Sequence, residues 1–179
     1  GNELVHQAQE IQSQSLSGKE NFIVVAATNG TDQLAYTSSY SKVLVDIAAS
    51  GCPAGPEPCI GAGVGTSFAA PRVSRASANL MEEFPEASPN QIKLALMLGA
   101  HVPDKPLAVR CGGIIDEFAS KKLLQLMRQK GAQSLATISK DELVEMVLMA
   151  KYFDLSDDQR SDANLRKKTI KQISWIFKK

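Results

Sequence analysis

The hydrophobic positions of this chain change their period twice. In 3–14, Leu4, Ala8 and Ile11 stand at helical spacing, which predicts an amphipathic helix that Ser17-Gly18 ends. "NFIVVAATN" follows, a continuous apolar run rich in β-branched residues, and it predicts a strand buried on both faces near 22–28. "GTD" is a turn signal, and "KVLVDIAA" predicts a second buried strand near 43–48. "SGCPAGPEPCIGAG" has the proline and glycine content of a loop. The helical period then returns. "SFAAPRVSRASANLMEEF" predicts a helix that starts at or just after Ser67, with Pro71 in the first turn, where a missing N–H does no harm.

Capping signals divide the rest. Ser88 as N-cap, Pro89 at the first helical position and Gln91 closing a capping box open the helix "SPNQIKLALML", which Gly99 ends. "CGGII" predicts a short strand or turn, and Asp116 caps a third helix that stops at Gly131. Ser139 with Glu142 and Ser156 with Gln159 form two further capping-box pairs. They precede "LVEMVLMAKYF" and "LRKKTIKQISWIF", the second with an apolar stripe of Leu165, Ile173, Ile176 and Phe177. Near Gly131 a Gly/Ala/Pro-rich α/β pattern gives way to charged, helix-only sequence. This predicts a boundary, with 1–130 as the α/β part and 131–179 as a helical extension.

Composition narrows the function classes. A net charge of +1 gives no electrostatic reason to bind nucleic acid. The basic run "LRKKTIKQISWIFKK" reads as the solvated face of a helix. No run approaches the roughly 18 apolar residues of a membrane span. The chain opens with Gly1 rather than Met, so it is expected to be a processed or truncated piece. Cys52 and Cys59 flank "PAGPEP" and read equally as a small-loop disulfide or as two free thiols. A zinc site from Cys52, Cys59, Cys111 and His101 lacks the short paired knuckle of structural sites. The acidic cluster "DLSDDQRSD" lacks the glycine and terminal glutamate of a calcium loop.

"GVGTSFAAPRV" raises the question of nucleophilic chemistry. A serine at a helix start is either an N-cap or a nucleophile. The helix N-terminus stabilises negative charge developing beside it, and Gly65 allows close backbone approach. These properties suit both roles.

"GTSFAAPRV" resembles the serine motif of the subtilases, the subtilisin-like serine proteases. Other segments agree in order. "NFIVVAATNGTDQLAYTSSYS" is similar to the strand and turn before the family's serine, "VDIAASG" to its V-D-[IV]-A-A-P-G with Ser50 in place of proline. "SPNQIKLALMLGA" is similar to its T-P-x-Q helix, and "CGGIIDEFASKKL" to its closing segment. The likeness covers about Asn21 to Leu124. It implies an α/β fold, here a partial subtilisin-like, mostly parallel sheet with packed helices. It implies Ser67 as the nucleophile, its own N–H as an oxyanion donor, and Gly65 and Thr66 beside the scissile bond. It further implies a peptide or protein substrate, no cofactor, and a secreted or periplasmic location.

Departures from the pattern set the expected limits. The family's D-[ST]-G and H-G-T motifs are absent. His6 lacks the Gly-Thr that follows the catalytic histidine and reads as a helical residue, and His101 follows the serine instead of preceding it. Asn29 in "VVAATNG" reads as a turn residue, not as the family's oxyanion asparagine. Arg75 and Asn79 interrupt a helix that the family buries, so either one edge is open or Arg75 pairs with an acid such as Asp141 or Glu142. Two readings follow. The chain is the C-terminal part of a serine endopeptidase, inactive without its N-terminal half, or it is a non-catalytic remnant serving as a protein-interaction module.

Overall fold

A computed structural model describes residues 19, 21–53, 59, 63–131, 135 and 137–178. The predicted helix over 3–14, with His6, lies outside the described residues. Two short strands, β1 (Val25–Thr28) and β2 (Ile47–Ser50), pair in parallel with Val25 opposite Ile47 and Thr28 opposite Ser50. Ile114 adds a parallel bridge to Ala48, and His101 an antiparallel bridge to Ile114. "CGGII" therefore extends the ladder beyond β2, with the Ile115 N–H donating to the Ala48 carbonyl at 2.8 Å. The chain has the mixed α/β architecture expected, with six helices among the described residues.

Both strands are shorter than the apolar runs suggest. In "KVLVDIAA" the Ser41 hydroxyl accepts from the amides of Val43 and Leu44, and the Ser41 carbonyl from that of Val45. That local turn competes with the strand, as serine side chains commonly do. Val43 is left exposed, and pairing begins only at Ile47.

Helix α1 (Thr66–Glu83) lays Ala69, Val73, Ala76 and Leu80 against the sheet. These positions fall at i, i+4, i+7 and i+11, one stripe of a helix. Helix α2 (Pro89–Gly99) begins with the predicted capping box: the Gln91 amide donates to Ser88 Oγ, and the Ser88 amide to Gln91 Oε1. Gly99 has another job than stopping the helix. It is the last helical residue, and a Cβ there would stand 2.7 Å from the backbone nitrogen of Ser120. Its small size lets α2 lie directly against helix α3 (Glu117–Gln129), which Asp116 caps through the Ala119 amide.

The remaining helices are α4 (Lys140–Lys151), α5 (Asp157–Arg160) and α6 (Ala163–Ile176). Ser139 caps α4 through the Glu142 amide, but the box stays half made because the Glu142 carboxylate turns to Lys130 at 2.9 Å. The Ser156–Gln159 box is complete, yet it opens only the single turn of α5. The long last helix uses Asp162, whose Oδ1 accepts from Asn164 and Leu165. Val147, Leu148, Ile173 and Ile176 join the same apolar cluster as Leu96, Leu80 and Ile47, so α4 and α6 share the core of the sheet.

Candidate functional site

The serine loop hangs from the end of the sheet. Gly51 follows β2, and its amide donates to the Thr28 carbonyl at 2.8 Å. The Gly51 carbonyl accepts the Gly65 amide at 2.9 Å. Gly65 is buried and extended, and it is the residue that caps α1, with no side-chain cap. Its carbonyl accepts the amides of Phe68 and Ala69. Thr66, partly buried, is the first helical residue and Ser67 the second.

This geometry separates the two roles a serine can play at a helix start. Ser67 lies inside the helix, one position past Thr66, so it is not the N-cap. Among the described residues nothing bonds its hydroxyl or its backbone N–H, and the residue is solvent-exposed. An unfilled N–H at a helix N-terminus carries partial positive charge and can receive an oxyanion. Pro71 does not sit in the first turn as expected; it is the sixth residue of α1. There it removes the N–H that would otherwise bond the Ser67 carbonyl one turn earlier.

The approach to Ser67 is tied down on several sides. Cys52 and Cys59 are joined in a disulfide, with their Cα atoms 5.6 Å apart. That decides the alternative left open by the sequence and removes both sulfurs from any zinc set. The Cys59 amide donates to the Asn29 carbonyl at 3.1 Å, Arg72 Nη2 to the Cys52 carbonyl at 3.1 Å, and Thr37 Oγ1 to the Val64 carbonyl at 3.2 Å. Arg72 and Thr37 leave no mark in the sequence, because both bonds end on backbone carbonyls that no side-chain pattern signals. Asn29 acts as a turn residue: its Oδ1 accepts the Thr31 amide at 3.1 Å and the Thr31 hydroxyl at 2.6 Å.

A base for Ser67 is not supplied by His101. Its Nε2 faces Asp32 Oδ1 at 3.6 Å, with both side chains more than half exposed. The pair rims a cavity of about 460 Å³ whose lining includes Thr28, Ser50 and Asp116 but not Ser67. Cys111 is fully buried, and burial pushes its thiol up to about 12, which makes it inert as a nucleophile. Arg75 is exposed and pairs with neither suggested acid: Glu142 is taken by Lys130. Asn79 Nδ2 reaches Glu117 Oε1 at 2.7 Å. One edge of α1 is open.

A small parallel sheet, a glycine-held loop and a serine on the second position of the following helix describe the class of site. The Subtilase family model matches residues 1–137, and the chain belongs to the subtilase family. That family is one of proteases, acting on peptides or proteins. A search of the curated proteins found no match, and a search of the solved structures found none. No helix among the described residues is long and apolar enough to cross a membrane.

Proposed function

We propose that this chain is the serine-bearing part of a serine endopeptidase, in which Ser67 Oγ attacks the scissile carbonyl to form an acyl-enzyme. The observation that carries this reading is the state of Ser67: an exposed hydroxyl and an unfilled backbone N–H on one residue at the start of α1. The N–H would meet the oxyanion. Gly65 and Thr66 would line the bound peptide backbone, and Gly65 keeps the extended conformation a neighbouring strand needs. The aspartate and histidine come from an N-terminal half that carries D-[ST]-G and H-G-T motifs, on the same or another chain. Without them the members of the catalytic unit lose nearly all their effect, so the chain alone is inactive. The Cys52–Cys59 disulfide favours an oxidising compartment. Residues 1–130 would form the family part and 131–179 its extension.

A fluorophosphonate probe, which labels only activated serines, tests this. The chain alone should not react. Mixed or fused with a half that supplies both motifs, it should label at Ser67, and S67A should not. Absence of labelling with every such half would sink the proposal.

A second reading, the interaction module, rests on a different observation. Val25 turns its backbone N–H and C=O away from β2, and among the described residues neither has a partner. Beside it runs a groove of about 410 Å³ between 21–25 and the Ala70, Ser74, Ser77 and Ala78 face of α1. Further along the same edge Ala27 is already bonded to Ala35 and Ser38, so the open stretch is short and lies at Val25, where an incoming extended segment could pair. Under the protease reading the N-terminal half fills it; under this one a different protein does.

A further inference from the structure

We propose that Arg110 couples docking of the C-terminal helix α6 to the ordering of the segment that leads into β1. The observation is a chain of polar contacts that links residues near the start of the described chain to the end of α6. Arg110 Nη2 donates to the Ile176 carbonyl, at the C-terminus of α6, at 2.8 Å. Its Nη1 lies 3.7 Å from Asp46 Oδ1. The other carboxylate oxygen, Asp46 Oδ2, accepts from the Val24 amide and from Lys93 Nζ, both at 2.9 Å. Lys93 Nζ also donates to the carbonyls of Phe22 at 2.7 Å and Lys19 at 3.3 Å.

The charge balance explains why α6 matters. Asp46 and Lys93 are almost fully buried, and Arg110 is largely so. Two cations share one carboxylate, which leaves one positive charge over. The C-terminus of a helix carries about half a negative charge, and α6 presents that end to Arg110. With α6 docked, Arg110 is divided between Asp46 and Ile176. With α6 displaced, Arg110 keeps only Asp46 and competes with Val24 and Lys93 for it. The hydrogen bonds that fix Phe22 and Val24 then weaken.

Two other anchors hold α6 without touching Arg110. Gln172 Nε2 donates to the Met97 carbonyl at 2.9 Å, and Gln172 Oε1 accepts from Lys151 Nζ at 2.8 Å. Trp175 packs over Gly112, where a Cβ would stand 2.6 Å from its ring. The coupling therefore has a handle at each end. Its consequence is that the extension controls the order of 21–24, of which Asn21, Phe22 and Ile23 line the groove beside β1.

Hydrogen exchange on the full chain tests the coupling. Q172L loosens α6 without altering the Arg110 set, and R110M removes the relay itself. Q172L is expected to raise exchange at the Val24 amide about tenfold or more, along with the last turn of α6, while Ala49 in β2 stays protected. R110M should free the last turn of α6 but leave Val24 protected, because the cation that competes for Asp46 is gone, and Q172L added to R110M should no longer reach Val24. R110K, which keeps the competing charge but not the two-pronged contact, should raise Val24 exchange in the direction of Q172L. If Q172L speeds exchange in α6 and leaves Val24 unchanged, the proposal fails. Should Q172L unfold the chain, native-state exchange of the wild type in rising urea decides instead. Opening of α6 and of Val24 at one common slope supports the coupling, and two separate slopes overturn it.

Discussion

The amide of Gly65 donates to the carbonyl of Gly51 at 2.9 Å, which hangs the serine loop on the end of β2. A Cβ on Gly51 would stand 2.6 Å from the Ala27 Cβ and 3.1 Å from the Gly65 carbonyl oxygen. Gly51→Ala is therefore expected to cost about 1–3 kcal/mol by overpacking. It should also loosen the loop, read as faster exchange of the Gly65 amide. Urea unfolding gives the first number, and an unchanged midpoint would show that the loop yields without cost.

Ser67→Ala should leave stability within about 0.5 kcal/mol of wild type, since the side chain is exposed and unbonded among the described residues. A large loss in thermal or urea unfolding would mean that Ser67 has a structural role, and the case for an idle nucleophile would weaken.

Lys151 donates to the Ala100 carbonyl at 2.7 Å and to Gln172, with no carboxylate in contact. Burial lowers its pKa to about 8. The folded protein thus releases this proton more readily than the unfolded chain, and between about 8 and 10.5 the unfolded state binds more protons. Stability from this group should rise across that window, by roughly 3 kcal/mol in full. The Cys111 thiol works the other way, because its raised pKa makes stability fall as pH rises above about 9. Comparing wild type with K151M in a C111A background, by urea unfolding from pH 7 to 10, isolates the lysine. The gap between the two should change with pH, and a constant gap would contradict the assignment.

Lys93→Met removes the nearer of the two cations facing a carboxylate that is 2% exposed. Leaving a buried charge short of its cation costs about 3–5 kcal/mol, and Arg110 at 3.7 Å recovers part of that. The double variant K93M/D46N should be less destabilised than the sum of the two single variants. Additive losses would mean that the pair does not act as one unit.

The Cys52–Cys59 link closes a loop of seven residues' separation directly ahead of the serine. Replacing both by serine should cost about 2 kcal/mol, as expected for a short loop freed in the unfolded chain. Equal stability of oxidised and reduced protein would show that Arg72 and Asn29 hold the loop alone.

Much of the site was legible because it rests on local chemistry. The Ser88–Gln91 box, the Asp116 cap and the turn at Asn29 each follow from side chains within three residues of the groups they bond. The strand expected over 43–48 begins only at Ile47, because Ser41 closes a turn on Val43 and Leu44 that the apolar run alone does not show. Pro71 was drawn to the first turn by its missing N–H, whereas α1 starts five residues earlier on a glycine cap. The Arg110 set could not be read at all, since its members are brought together from five separate stretches of chain.

The shared core has a bearing on how this chain can change over time. The family match ends at 137, yet Val147 and Ile173 fill space against the same cluster as Leu96. A lost methylene on either side leaves a void that both must absorb. Substitutions in the two stretches are then not independent: the volume that α6 gives up, α2 has to make good. A graft of this extension onto another subtilase would carry that debt with it, and should succeed only where the recipient's α2 offers a matching face.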